Sequence, residues 1–242
     1  MYDRAISRTR TSNTSMSLEI LYEDNHLIIV NKKSGDLVQG DKTGDAPISD
    51  KIKAYIKKKY NKPGDVFLGT VHRLDRPTSG IVIFARTSKA LSRMNQLFQK
   101  KEVQKTYWAV CDKAPTPPSG SCNDYLWKNE KQNKSYVVTK DKNGAKKGEL
   151  DYRLLQKSER YFLVEVDPKT GRHHQIRVQL SNMGCIIKGD LKYGARRSNK
   201  DGSIHLHARK VEFIHPVKKE PLIVTAPVPN ETLWKSLEGK VN

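Results

Sequence analysis

Cysteine is scarce in this 242-residue chain: there are three, Cys111, Cys122 and Cys185, and no two stand in a CxxC spacing. An odd, scattered set builds neither a disulfide framework nor a thiolate zinc site. It suits a reducing compartment, so the expected location is the cytoplasm. Long apolar runs are missing too. The longest aliphatic-rich run is Ile81–Ala85, against about 20 apolar residues needed to cross a bilayer, so no membrane partner is expected. The first fifteen residues, MYDRAISRTRTSNTS, lack the apolar core of a signal peptide. Residues 1–17 read as a disordered leader or a cloning remnant. Cofactor signatures are absent as well: no GxGxxG, no GxSxG and no HExxH occurs. Residues 35–42 (GDLVQGDK) come nearest to a phosphate loop, but Asp41 stands where a lysine would meet the phosphate. No cofactor and no metal are therefore expected.

Acidic residues are also few, 26 against 45 lysines and arginines, which leaves a net charge of +19 and a pI near 9.8. That surplus fits a polyanion partner, above all nucleic acid. A merely basic surface is the plainer alternative.

Hydrophobic spacing gives the elements. Residues 18–30 read as strand, turn, strand. Ile48, Ile52, Ile56 and Tyr60 form one stripe of an amphipathic helix. Its other face carries Lys51, Lys53, Lys57, Lys58 and Lys59, either an RNA contact or a solvated face. Residues 66–84 read as strand, irregular loop, strand. Thr87 can cap a second helix with Leu91, Met94 and Leu97 inward. Residues 105–111 read as a strand, and 113–120 as a proline-rich loop. Residues 127–148 hold seven lysines, with Asn143-Gly144 as a hairpin turn signal. Further strands are expected near 149–156, 160–167, 203–214 and 222–226, and short helices near 171–184 and 231–237. The apolar phase changes between Ala208 and Val211, which predicts a bulge or bend. Many strands and few helices, not strictly alternating, predict an α+β fold around a mixed, largely antiparallel sheet.

Three segments carry candidate chemistry. In HRLDRPTSG (72–80), Asp75 lies between Arg73 and Arg76, just before a proline and a glycine that force irregular backbone. In GRHHQIR (171–177), polar and basic side chains gather at a helix start, a setting suited to an anionic ligand. In KTYWAV (105–110), Tyr107 and Trp108 point to opposite faces of a strand, so one can meet a base while the other packs inside. A turn aspartate, a solvated helix end and a core aromatic are the plain alternatives. His205 and His207 share a strand face, but no acidic or cysteine cluster stands beside them.

Together these segments resemble the RluA-type RNA pseudouridine synthases. The resemblance rests on HRLDRPTSGIVIFA (72–85), KTYWAVC (105–111), GRHHQIRVQL (171–180), GDLKYGA (189–195) and IHLHARKVEFIHP (204–216), with LEILYEDNHLIIVNKKSG (18–35) in front. It implies a catalytic domain over 18–242 with the pseudouridine synthase fold and a basic cleft. It implies isomerisation of uridine within structured ribosomal or transfer RNA, on a flipped-out nucleotide and without cofactor. Asp75 matches the family's catalytic carboxylate, either attacking C1′ or removing the C2′ proton. Tyr107 matches the tyrosine that packs on the target base, and Arg177 the arginine that pairs with the carboxylate. Arg73 matches an arginine that fills the space left by the flipped nucleotide. His72, Arg76, Arg172, His174, Lys57, Lys58 and Lys59 complete the expected RNA contacts. His173 departs from the family, which more often has a small residue there. The small RNA-binding domain that precedes the catalytic domain in many relatives is not expected before Leu18. The protein is expected to act as a monomer. The alternative is an RNA-binding or RNA-chaperone protein on this fold with little turnover.

Overall fold

A computed structural model describes residues 18–40 and 44–241; the leader expected over residues 1–17 lies outside the described residues. The chain opens with a hairpin of β1 (Ile20–Glu23) and β2 (Leu27–Lys32). Its turn is closed by Asp24, whose Oδ1 accepts from the amides of His26 and Leu27 at 2.8 Å each. Helix α1 (Ile48–Lys59) follows, then the two-residue strand β3 (Gly69–Thr70) and β4 (Ser79–Ala85). Helix α2 (Ser88–Gln99) starts where expected: the Thr87 hydroxyl accepts from the Ala90 amide at 3.1 Å. Strands β5 (Gln104–Cys111), β6 (Ser119–Asn129), β7 (Lys134–Val138), β8 (Lys146–Lys157) and β9 (Phe162–Pro168) come next. Helix α3 (Gln175–Asn182) and a single 3₁₀ turn (Leu191–Tyr193) lead to β10 (Leu206–Ile214), β11 (Pro221–Thr225) and helix α4 (Thr232–Glu238).

Among the described residues, the eleven strands join one sheet in the order β1-β2-β4-β10-β5-β9-β8-β6-β7, with β3 beside β4 and β11 beside β10. Every pairing is antiparallel except β4 with β10. The α+β expectation holds.

Both faces are covered, which explains why β2 and β4 are apolar without alternation. On one face Leu27, Ile29, Ile81 and Ile83 pack under α2 through Ala90 and Met94. On the other, Ile28, Val30, Val82 and Phe84 pack under the Ile48, Ile52, Ile56 stripe of α1. Further along, Ala109 and Cys111 pack with Ile176 and Leu180 of α3, while Trp108 and Val110 pack with Trp234 and Leu237 of α4. Tyr107 packs against both the α2 and α3 clusters. Tyr107 and Trp108 thus lie on opposite faces, as the strand period requires. All three cysteines are free and buried.

The joint between β4 and β10 depends on one glycine. Gly80 sits at φ +113°, opposite Ala208. A Cβ there would collide with the Ala208 backbone, so no other residue fits both the angle and the space. The predicted bulge in β10 lies between Ala208 and Lys210, against β5.

Other expectations need correction. Asn143-Gly144 does turn the chain, with the Ala145 amide donating to the Lys142 carbonyl at 2.9 Å. It does not close a hairpin, because β7 and β8 lie on either side of β6. The hairpin is β6–β7, turned over residues 130–133. The strand expected before the 72–80 loop shrinks to Gly69–Thr70, and α3 begins at Gln175, not at Gly171.

Candidate active site

Asp75 stands in a tight turn between β3 and β4, with the Thr78 amide donating to its carbonyl at 3.0 Å. The carbonyls of the next two residues are tied down. That of Arg76 accepts from the Gly35 amide at 2.8 Å and from Lys32 Nζ at 3.1 Å. That of Pro77 accepts from the Ser34 hydroxyl at 3.0 Å and the Ile204 amide at 3.1 Å. The turn is therefore clamped from the end of β2 on one side and the approach to β10 on the other. A proline–glycine loop that would otherwise be mobile becomes a fixed mount.

Lys32 is the centre of that clamp. It is fully buried, and its ammonium donates also to the carbonyls of Lys33 and Asp36, each at 2.9 Å. Burial pulls its pKa down to about 8 from 10.5, with Asp36 and Asp75 opposing. Between those values the unfolded chain holds more protons than the folded one at this position. The contribution of Lys32 to stability therefore rises with pH across that window. The stability of the parent relative to Lys32→Met should increase between pH 8 and pH 10, measured as the difference in melting temperature. A difference that stays constant over this range would show that Lys32 is not buried as a cation.

Arg177 reaches Asp75 from α3. Its Nη1 donates to Asp75 Oδ2 at 2.9 Å. Its planar fork belongs to another carboxylate: Nε and Nη2 donate to the two oxygens of Asp190 at 2.7 and 2.8 Å. Asp190 is 1 % exposed and was not singled out in the sequence reading, although it lies within the GDLKYGA segment. Burial disfavours the Arg177 charge, but bonds and attraction from Asp190, then Asp75, push its pKa up. Arg177 is thus a permanent cation shared by a buried and a half-buried carboxylate. Asp75 Oδ1 takes no hydrogen bond from the described residues.

Tyr107, half-buried on β5, lines the same cleft. Burial first, then the charge of Asp75, push its phenol well up, so it stays neutral. The cleft holds about 590 Å³. Arg73, Lys105, Arg172 and Arg177 line it, with Asp75 as the one carboxylate among the described residues. Asp75, Tyr107 and basic side chains from residues 73 to 177 thus meet in one place.

The expected RNA contacts divide. Arg73 is exposed in the cleft, and Arg172 lines it with Nε donating to the Lys147 carbonyl at 2.8 Å. His72 lines it too, but its Nε2 accepts from the Ile83 amide at 3.1 Å and its ring stacks on Phe98. Burial holds it neutral, with its pKa down to about 3. Arg76 turns away to Asp45 at 2.7 Å. His174 lines the cleft as well, but its side chain is only 6 % exposed. Lys57, Lys58 and Lys59 lie on α1, across the sheet from α2 and α3, and Lys59 pairs with Glu23 at 2.7 Å. His205 and His207 are buried and bonded, to Asn199 and to Ser79 respectively, each at 2.9 Å. No group of three or more His, Cys, Asp or Glu that could hold a metal occurs among the described residues.

Comparison with known proteins agrees with this arrangement. The family described as RNA pseudouridylate synthase matches residues 26–182, and the chain belongs to that family. It is 36 % identical over 215 residues to ribosomal large subunit pseudouridine synthase C of Vibrio cholerae, covering 86 % of this chain and 65 % of that one. It is 33 % identical to tRNA pseudouridine synthase C of Pectobacterium carotovorum, over 86 % of this chain and 58 % of the relative. The chain therefore spans about two thirds or less of the length of these relatives. Among solved structures, human RNA pseudouridylate synthase domain containing 4 superposes with a TM-score of 0.73 at 26 % identity, over 88 % of this chain and 89 % of that one.

Proposed function

We propose that this chain isomerises uridine to pseudouridine within ribosomal or transfer RNA, with residues 18–242 as the catalytic domain and Asp75 as the catalytic carboxylate. The observation that carries this reading is the Asp75–Arg177 pair at 2.9 Å beside Tyr107 in a cleft whose charged lining is otherwise basic among the described residues. Arg73, Lys105 and Arg172 supply charge for a phosphate backbone. A uridine in a folded RNA must leave its stack to bring C1′ and N1 to a carboxylate half-buried in the cleft. With Oδ2 anchored by Arg177, Oδ1 is the oxygen left to meet the sugar, either at C1′ or at the C2′ proton. The C1′–N1 bond breaks, the uracil turns, and C5 joins C1′. The hydrogen at C5 leaves to solvent and N1 gains one, so the RNA keeps its mass and length. Tyr107 supplies a neutral aromatic face against which the base can lie while it turns. No step calls for a metal or cofactor. We place the protein in the cytoplasm as a monomer, in keeping with its three free cysteines. No helix among the described residues is long and apolar enough to cross a membrane.

RNA carrying tritium at uridine C5 should release its label to water with chelator present. Strand cleavage or a strict metal requirement would refute the isomerase reading. Binding without any release, on total RNA from cells lacking the gene, would favour an RNA-chaperone role on the same fold.

The cleft also makes a prediction about salt. Each phosphate neutralised contributes roughly 0.7–0.9 to the log–log slope of affinity against salt. Replacing Arg73 and Arg172 with Gln should flatten that slope by about 1.4–1.8. Replacing Lys57, Lys58 and Lys59 should change it by less than about 1, because α1 lies across the sheet from the cleft. A larger change from the lysines than from the arginines would move the RNA path to the α1 face.

A further inference from the structure

His174 occupies a backbone conformation that is uncommon for residues other than glycine. It has φ +53° and ψ +24° just before α3, in the left-handed region, and its ring is buried. Strain of this kind is kept where the surroundings enforce it, and it often marks a functional position. Here the surroundings are a chain of polar contacts. The Ser135 amide on β7 donates to the Tyr193 hydroxyl at 2.9 Å. That hydroxyl lies 2.8 Å from His174 Nδ1. On the far side of the ring, His174 Nε2 lies 3.6 Å from Asp75 Oδ2.

The donors in this chain fix where the hydrogens go. An amide can only donate, so Ser135 takes one lone pair of the Tyr193 oxygen. The hydroxyl hydrogen then has His174 Nδ1 as its acceptor. Burial first, then the charge of Arg177, lower the His174 pKa to about 2, so the ring is neutral and carries one hydrogen. With Nδ1 accepting, that hydrogen sits on Nε2 and faces the carboxylate. The opposite tautomer would aim a lone pair at Asp75 and leave the Tyr193 hydrogen without its partner. The ring plane is held by His173, stacked at 3.8 Å between centroids, and by the edge of Tyr193 at 5.5 Å.

We propose that His174 is a positioning residue for Asp75, holding Oδ2 through Nε2–H in a tautomer set by Tyr193 and Ser135. This rests on the role given to Asp75 above. One anchor, Arg177, lets a carboxylate pivot. A second donor on the same oxygen, from the residue that caps the helix carrying Arg177, fixes its rotation and keeps Oδ1 available to the sugar. The 3.6 Å separation is longer than a hydrogen bond and shortens to one when RNA fills the cleft, as contacts in empty sites commonly do. The chain also links β7, whose hairpin with β6 carries Lys128, Lys131 and Lys134, to the reacting carboxylate.

Two measurements test this. Nitrogen-15 spectra of histidine-labelled protein should show His174 with its hydrogen on Nε2, unchanged from pH 5.5 to 8. Single-turnover release of tritium from labelled total RNA should slow about tenfold in Tyr193→Phe and about thirtyfold in His174→Leu. In His174→Gln, whose amide nitrogen can stand near the place of Nε2, the loss should stay within about threefold. RNA affinity should change less than twofold in all three. A hydrogen found on Nδ1, or equal rates in the Gln and Leu variants, would overturn the proposal. The spectra need no RNA, so they stay decisive if a variant fails to fold. A parent enzyme that releases no label from any RNA would overturn the isomerase reading itself, a result distinct from a misplaced hydrogen.

Discussion

Asp75→Asn is expected to lower turnover a thousandfold or more while leaving folding and RNA affinity nearly intact. The substitution keeps shape and removes charge and nucleophile. In the role proposed for Asp75, attack on C1′ or removal of the C2′ proton, the effect falls on the transition state and so appears in the rate of the bound complex. Folding should survive because the Asp75 side chain is about a third exposed and Arg177 keeps both its bonds to Asp190. The Asn oxygen can still accept from Arg177 Nη1. The turn itself is held by backbone carbonyls of residues 75–77, which the substitution does not touch. Affinity rests mainly on phosphate contacts and should persist. Single-turnover tritium release, filter binding and thermal melting on the same preparation separate these quantities. Loss of melting temperature and binding together would make Asp75 a structural residue.

The second large effect belongs to Arg177→Lys, and the structure changes its character. The sequence suggests an arginine whose fork grips Asp75, so that lysine would cost orientation alone. The fork grips Asp190 instead, and Asp75 receives a single bond. A lysine has one ammonium on a flexible stem and cannot serve both carboxylates with that geometry. If it meets Asp75, Asp190 is left nearly unpaired at 1 % exposure. Breaking a buried pair in this way commonly costs about 3–5 kcal/mol, of which lysine recovers a part. A melting-temperature drop of about 5–10 °C follows for a chain of this size, at about 2–4 °C per kcal/mol. If lysine meets Asp190, Asp75 loses its anchor and the rate falls. We expect both effects, with a rate loss of about ten- to a thousandfold at about 1.4 kcal/mol per decade. Rates should be taken well below the variant's melting temperature. Parent-like stability and parent-like rate together would show that Arg177 links neither carboxylate.

Much of this architecture was legible in the sequence because its signals are local. The Ile48, Ile52, Ile56 stripe, the Thr87 cap and the phase change after Ala208 each show within a few residues. They became α1, the start of α2 and the bulge in β10. The three segments with candidate chemistry also meet in one cleft. What failed to show depends on distance along the chain. β6 went unread because SGSCNDYLWKN is a strand with one polar face and many polar residues. The hairpin expected at Asn143-Gly144 was wrong because a turn residue specifies a turn and not which strands pair across it. The Asp190 grip on Arg177 joins residues 13 apart, from α3 to the residue that opens a 3₁₀ turn, and no periodicity announces it. His174 looked like a basic group offered to RNA. Its left-handed backbone instead turns it inward, and a single sequence shows no dihedral angle.

The position of β10 has a consequence for how the molecule comes into being. In the chain it is nearly last; in the sheet it lies between β4 and β5. Before residues 206–214 leave the ribosome, β1-β2-β4 and β5-β9-β8-β6-β7 are two separate sheets, each with an open edge where β10 will lie. Asp75 hangs from the first and Arg177 is packed on the second. Nascent chain therefore has no assembled active site, and the pairing that completes it is long-range and partly parallel, a slow kind of closure. Synthesis at about 5–20 residues per second leaves the two edges unpaired for several seconds. A chain broken off before β10 would keep both edges bare, apolar and ready to pair with a neighbour.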